Sequence, residues 1–193
     1  MDTHRYILAS ASPRRRELLA GMLKEFDCVP SCIQESLVSD SSPADQVMDN
    51  ALRKALEVGT RYPDATVIAA DTVVVLDGIV MGKPRDMEDA ARMLRLLSGR
   101  THQVFTGVAV VQGASRITDF QVSDVTFRNL DAEEIQAYVN EMRPLDKAGA
   151  YGIQEIAETF LAELDGDFNN VMGLPTDLLA EMMDVMNMSS PAA

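Results

Sequence analysis

The chain has 193 residues, with 17 Lys and Arg against 30 Asp and Glu, a formal charge of −13. Hydrophobic residues make up 47%, enough to bury a core and too many for a disordered chain, and no apolar run reaches the roughly 18 residues of a membrane span. Charge of this sign excludes bulk binding to long nucleic acids and to anionic membranes, where the phosphate term is repulsive.

At roughly 150 residues per domain the length allows one to two domains. No repeat, low-complexity tract or linker divides the chain. The opening MDTHRYILASASPRRR does not read as a signal peptide, since its apolar stretch is brief and charge follows at once, and none is expected. Two Cys cannot form a disulfide framework. The expectation is a soluble cytoplasmic domain.

Residues 5–9 (RYILA) predict a short buried strand. Ser12 is a good N-cap and Pro13 fits the first position of a helix in which Leu18, Leu19, Met22 and Leu23 repeat at helical spacing. Residues 28–42 read as strand and loop. A second helix spans 43–60, with Val47, Ala51, Ala55 and Val58 on one face and Pro63 beyond its end. TVIAADTVVVL (66–76) is a nearly continuous β-branched run, the pattern of a strand buried on both faces. Asp77-Gly78 after it signals a two-residue hairpin. Asp86 caps a helix running to about Ser98, with Gly99 as its stop. Residues 103–111 and 117–127 predict paired strands around Gly113. Asp131, Glu133 and Glu134 open another helix. The Gly-rich stretch 144–173 predicts two strands, and 176–187 a closing amphipathic helix. The tail, 189–193, is expected to be flexible. Strands and helices alternate without a strict βαβ rhythm, which predicts one α/β domain, 1–188, with a mixed sheet.

Four places invite chemistry. Arg14, Arg15 and Arg16 crowd the first turn of a helix, where positive charge costs roughly a few tenths to 1 kcal/mol each. A bound phosphate would reverse that sign, because free N–H groups and guanidinium forks both suit its oxygens. The plainer reading, pairing with acids on neighbouring elements, is preferred for Arg16. Asp71 stands inside a buried strand, where a lone carboxylate is costly unless paired or bound to a metal. It is therefore either salt-bridged structure or a catalytic and metal-binding group. Glu35, in the polar loop QESLVSD, is a second acid for a hard cation such as Mg²⁺, or simply solvated.

Gly82-Lys83-Pro84 fails as a P-loop, because three residues separate the glycines and Pro84 replaces Ser or Thr. Lys83 can still reach a phosphate as a point charge, and Lys54 lies beside the apolar face of its helix, where a snorkelling lysine is the plainer reading. On spacing alone the plainer reading is preferred for both. In DKAGAYGIQ (146–154) the small residues permit close backbone approach, to a ligand or to packed neighbours, and Gln154 carries both a donor and an acceptor for a base edge. His4 and His102 are too few for a zinc site or a Ser-His triad. Cys28 and Cys32 read as buried thiols.

ILASASPRRRELL, AADTVVVLDG, GKPRD, MLRLLSGRTHQVFTGV, PLDKAGAYGIQ and VMGLP follow one another in an order that resembles the Maf family of nucleoside triphosphate pyrophosphatases, from about Ile7 to Leu179. The resemblance implies a mixed twisted sheet flanked by helices, in two lobes with a cleft, similar to inosine triphosphate pyrophosphatase (Maf/Ham1-like). It implies hydrolysis of a nucleoside triphosphate to the monophosphate and pyrophosphate with a divalent cation, Mg²⁺, Mn²⁺ or Co²⁺. By the family's motifs Asp71 matches the proton acceptor. Ser12, Arg14 and Arg15 match the phosphate-binding helix start, Glu35 an acid near the metal, and Lys54 and Lys83 lysines that face the triphosphate. Arg14, Arg15, Thr72 and Gln154 look like the branch that favours dTTP and UTP, rather than the one that favours 7-methyl-GTP. The implied partner is the triphosphate substrate, and a homodimer stays open. The family's association with septum inhibition gives a second reading, a nucleotide-binding regulator of cell division. Gln34 departs from the pattern where many relatives have a second acid, and Glu155-Ile156-Ala157-Glu158 replaces a stretch usually richer in Gly.

Overall fold

A computed structural model describes residues 5–35 and 41–189. His4, the end of the loop after Glu35 and the last residues of the tail fall outside them. In chain order the elements are β1 (Tyr6–Leu8), α1 (Pro13–Met22), β2 (Asp27–Cys28), α2 (Pro43–Arg61), β3 (Thr66–Leu76), β4 (Ile79–Met81) and α3 (Met87–Leu97). They continue with β5 (Thr101–Gln112), β6 (Ser115–Phe127), α4 (Ala132–Met142), a 3-10 turn (Ala148–Ala150), α5 (Ile153–Ile156), β7 (Leu161–Asp165), α6 (Phe168–Met172) and α7 (Thr176–Ser189). The strand order is β2-β1-β3-β5-β6-β7, with β4 beside β3. β1 runs parallel to β2 and β3, whereas β3–β4 and β6–β7 are antiparallel. The sheet is mixed, as the alternation of elements predicts. Among the described residues no helix is long and apolar enough to cross a membrane.

Contacts divide the chain into two compact units, one of Met1–Asp71, Thr106–Gln121 and Gly173–Ala193, the other of Thr72–Phe105 and Val122–Met172. In the first unit the period of two in a strand sorts the core into two clusters. Ile7, Ala9, Val67, Ala69, Ala109 and Val111 pack with Ala51, Ala55 and Val58 of α2. The alternate residues Leu8, Ile68, Ala70, Val108 and Val110 pack with Leu19 of α1 and Leu179, Met182 and Met186 of α7. Val67–Ala70 of β3 are apolar on both faces because α2 covers one and α1 with α7 the other. Gly107 admits α2 closely: a Cβ there would lie 2.4 Å from Val47 C and 2.5 Å from Val47 O.

In the second unit the hairpin turn is carried by Asp77 and Gly78, both at positive φ (51° and 77°), the type I′ geometry its sequence predicts. Asp86 caps α3 by accepting from Asp89 N, and Asp131 with Glu134 forms a capping box on α4. Ile135, Val139, Ile153 and Ile156 are buried with an aromatic group in which Phe127 stacks edge-on against His102 and Tyr151.

Two expectations are corrected. Among the described residues the stretch 144–173 holds one strand, β7, and otherwise short helical turns. Gly149 and Ala150 take positive φ, which breaks an extended run, and Asp167 accepts from Asn169 N and Asn170 N to start α6. Cys28 and Cys32 are free and exposed rather than buried, since β2 is only two residues long at the sheet edge.

Candidate functional site

Strand parity fixes the placement of Asp71. Val67 and Ala69 face α2, so Asp71, two residues on, faces α2 as well. On α2, Asn50 and Lys54 stand one turn apart and meet it. Lys54 Nζ donates to Asp71 Oδ1 at 2.6 Å, and Asn50 Nδ2 donates to Asp71 Oδ2 at 2.9 Å. Asp71 is 4% exposed, Lys54 7% and Asn50 1%. The buried acid is thus paired, and Lys54 does not snorkel: its ammonium lies inside, with Ala70 O a third acceptor nearby at 3.4 Å. Sequence reasoning missed Asn50. Its signal was a polar residue four before Lys54, next to the apolar face of the helix.

Lys54 Nζ also donates to Glu35 Oε1 at 2.8 Å. Glu35 is exposed, yet its segment is laced along α2. Arg61 donates to Pro30 O, Cys32 N to Glu57 Oε2, and Arg53 to Gln34 O. One ammonium therefore joins two carboxylates from different parts of the chain.

Ser12 caps α1, its Oγ accepting from Arg15 N at 3.4 Å. Arg15 folds back, donating through Nε to Gly173 O at 2.8 Å and through Nη1 to Ser10 Oγ at 3.5 Å. Burial pulls the Arg15 guanidinium below its ordinary pKa; the charges of Asp71 and Glu35 oppose that shift, and Arg14 adds to it. Arg14 is half-buried. Arg16 is exposed and makes no ion pair among the described residues, so the acid partner expected for it is not there: it lies on the solvent side of α1. The first unit brings together Asp71, Lys54 and Glu35, and also holds Ser12, Arg14 and Arg15 at the start of α1.

Thr72, Lys83 and Gln154 belong to the second unit. Thr72 is half-buried, the residue after Asp71 and so on the other face of β3. Lys83 is exposed, and the carbonyl before it, Gly82 O, accepts from Gly149 N at 3.1 Å. Gly149 is required there twice: its φ is +67°, and a Cβ would lie 2.8 Å from Val74 Cγ2. The small residues of 146–154 serve close packing at this position. Gln154 is exposed, on the one-turn helix α5.

A divalent cation fits part of this arrangement. Among the described residues no group of three or more His, Cys, Asp or Glu side chains converges, so no cage is built from protein alone. Glu35 and Asp71 do converge on a single positive charge, at 2.8 and 2.6 Å. Two carboxylates completed by phosphate oxygens make the donor set that suits Mg²⁺.

A sequence profile of the family described as Maf-like protein matches residues 5–186. A protein of Moorella thermoacetica named dTTP/UTP pyrophosphatase is 50% identical over 182 residues, covering 93% of this chain and 93% of its own. One of the same name from Symbiobacterium thermophilum is 48% identical over 177 residues, 92% of this chain and 91% of its own. Among solved structures, a HAM1 protein from Coxiella burnetii matches with a TM-score of 0.54 at 15% identity, covering 97% of this chain and all of that one. At that identity the likeness concerns the fold alone.

Proposed function

The chain belongs to the Maf-like protein family, and from that premise we propose that it hydrolyses dTTP and UTP to the monophosphate and pyrophosphate. The observation that carries this reading is the buried carboxylate of Asp71, held on both oxygens by Lys54 and Asn50. The family match spans both units, which supports one functional domain over 1–188.

In this reading Asp71 is the proton acceptor. Among the described residues each of its oxygens takes one side-chain hydrogen bond, from Lys54 and from Asn50, and a carboxylate oxygen has a further lone pair. Asp71 accepts the proton of a water as the water oxygen bonds to the α-phosphorus, and the bond from that phosphorus to the bridging oxygen breaks to release pyrophosphate. Glu35 and Asp71 would hold Mg²⁺, Mn²⁺ or Co²⁺, which when bound neutralises charge on the phosphate oxygens. Ser12, Arg14 and Arg15 bind phosphate at the start of α1, where one preorganised contact to developing charge contributes about 3 kcal/mol. Lys54 and Lys83 serve the triphosphate, and Thr72 and Gln154, with the two arginines, select the pyrimidine base. We place the reaction in the cytoplasm, with a homodimer as the assembly to test by light scattering.

Pyrophosphate release from dTTP, UTP, CTP, GTP and 7-methyl-GTP, each with Mg²⁺, Mn²⁺ and Co²⁺, tests the reading. Fastest turnover of dTTP and UTP is expected. Preference for 7-methyl-GTP overturns the substrate assignment, and thermal stabilisation by UTP without turnover makes the chain a nucleotide-binding regulator instead.

A further inference from the structure

Gln154 sits on a helix of four residues, too short to be stable alone. Ile153 and Ile156 bury one side of it. The other restraint is a clamp that spans Gln154 on both sides. Tyr138, from α4, donates its hydroxyl proton to Glu155 Oε2 at 2.6 Å and accepts from Gly152 N at 3.1 Å. The residue two before Gln154 and the residue after it are thus tied to one phenol oxygen. The Glu155 carboxylate lies flat against Gly152, where a Cβ would come within 2.9 Å of its Cδ. Lys147, 7% exposed, faces the other carboxylate oxygen, Oε1, at 3.3 Å, and Asp146 at 3.1 Å. The Tyr138 ring is itself tilted against that of Phe160, centroid to centroid 5.2 Å.

We infer that Glu155 and Tyr138 are positioning residues for base selection, fixing the backbone from which Gln154 reads the pyrimidine edge. This rests on the proposed role of Gln154. The need for such a clamp is chemical. Uracil and cytosine have the same size and differ only in the donors and acceptors of one edge. A carboxamide carries both kinds of group and can satisfy either base if its backbone is free to shift. Discrimination therefore depends on where the amide is held. Neither Glu155 nor Tyr138 needs to touch the nucleotide.

The test compares wild type, E155A, E155Q and Y138F, in two assays. Calorimetry gives the affinity for the α,β-imido analogues of UTP and CTP, and pyrophosphate release gives kcat/KM for UTP and CTP themselves. E155A and Y138F are expected to lower the preference for UTP about tenfold in both assays, the size of one hydrogen bond lost. E155Q keeps an acceptor for the Tyr138 hydroxyl and is expected to keep the wild-type preference. If E155A fails to fold, Y138F decides, because it removes one oxygen and leaves the ring in place. The inference is overturned if Y138F retains the wild-type preference, or if wild type binds both analogues equally. A wild type that releases no pyrophosphate, but whose preference between the analogues falls in Y138F, refutes the hydrolysis and upholds the positioning role.

Discussion

Lys54 Nζ lies 2.6 Å from Asp71 Oδ1 with both side chains buried, and the same ammonium reaches Glu35 at 2.8 Å. Removing one member of a buried pair strands the other, which costs about 3–5 kcal/mol. K54M is therefore expected to lower unfolding stability by about 3 kcal/mol, at the low end because Asn50 still donates to Asp71. Urea denaturation measures this. The double variant K54M/D71N should recover part of the loss, since no buried charge is then left unpaired; Glu35, which also loses Lys54, is exposed to water. Simple additivity of the two single changes would show that the pair is not coupled.

Asp71→Asn separates chemistry from architecture. The amide is nearly isosteric and keeps an oxygen to accept from Lys54, while Asn50 would have to give up accepting from Arg53 to turn its own oxygen toward the new amide. The fold should survive, with circular dichroism unchanged. Turnover of UTP should fall by about a thousandfold, because the side chain no longer accepts a proton at neutral pH. Pyrophosphate release near the wild-type rate would remove Asp71 from the proposed chemistry.

Gly107 governs how closely α2 lies on β5. An added Cβ meets main-chain atoms, Val47 C at 2.4 Å and Met48 N at 2.6 Å, which cannot swing aside as a side-chain tip would. G107A should destabilise the protein by about 3 kcal/mol. It should also reduce kcat under conditions where the variant is folded, since Asn50 and Lys54 lie further along the displaced helix. Thermal melting and steady-state kinetics check the two halves separately. A stable variant with wild-type kcat would mean that α2 has slack at this point.

Much of this was legible in residue order. The β-branched run 66–76, the Ser12 cap and the Asp77-Gly78 turn each follow from local chemistry. A carboxylate in a doubly covered strand announces that something must compensate it. What compensates it was not legible. A helical wheel puts Lys54 beside an apolar face, where a snorkelling lysine looks the same as a buried one. Only the packing of α2 on β3 brings Asp71 within 2.6 Å. Asn50 escaped notice for the same reason. The stretch 144–173 misled because its backbone is set by tertiary needs, such as the close approach of Gly149 to Val74, and glycine content alone does not distinguish a strand bend from a helical turn. The exposure of Cys28 depends on how short the edge strand is, which hydrophobic pattern does not encode.

His102 supplies a pH dependence of stability. It is 2% exposed, and its Nε2 meets the Tyr151 hydroxyl at 2.8 Å. Burial lowers its pKa to about 4, and burial likewise raises that of Tyr151, which keeps its proton. The folded state therefore resists protonating this imidazole, whereas the unfolded chain takes up a proton near 6.5. Between those two values the unfolded state binds more protons, so stability is present above about pH 6.5 and is lost as pH falls toward 4. From pH 7 to pH 5 the loss assigned to His102 is about 2 kcal/mol. Urea midpoints for wild type and H102Q at both pH values isolate it, since the carboxylates titrate alike in the two proteins. H102Q should be less stable than wild type at pH 7 and should lose less on acidification. Equal losses in the two proteins would show that His102 protonates freely in the folded state.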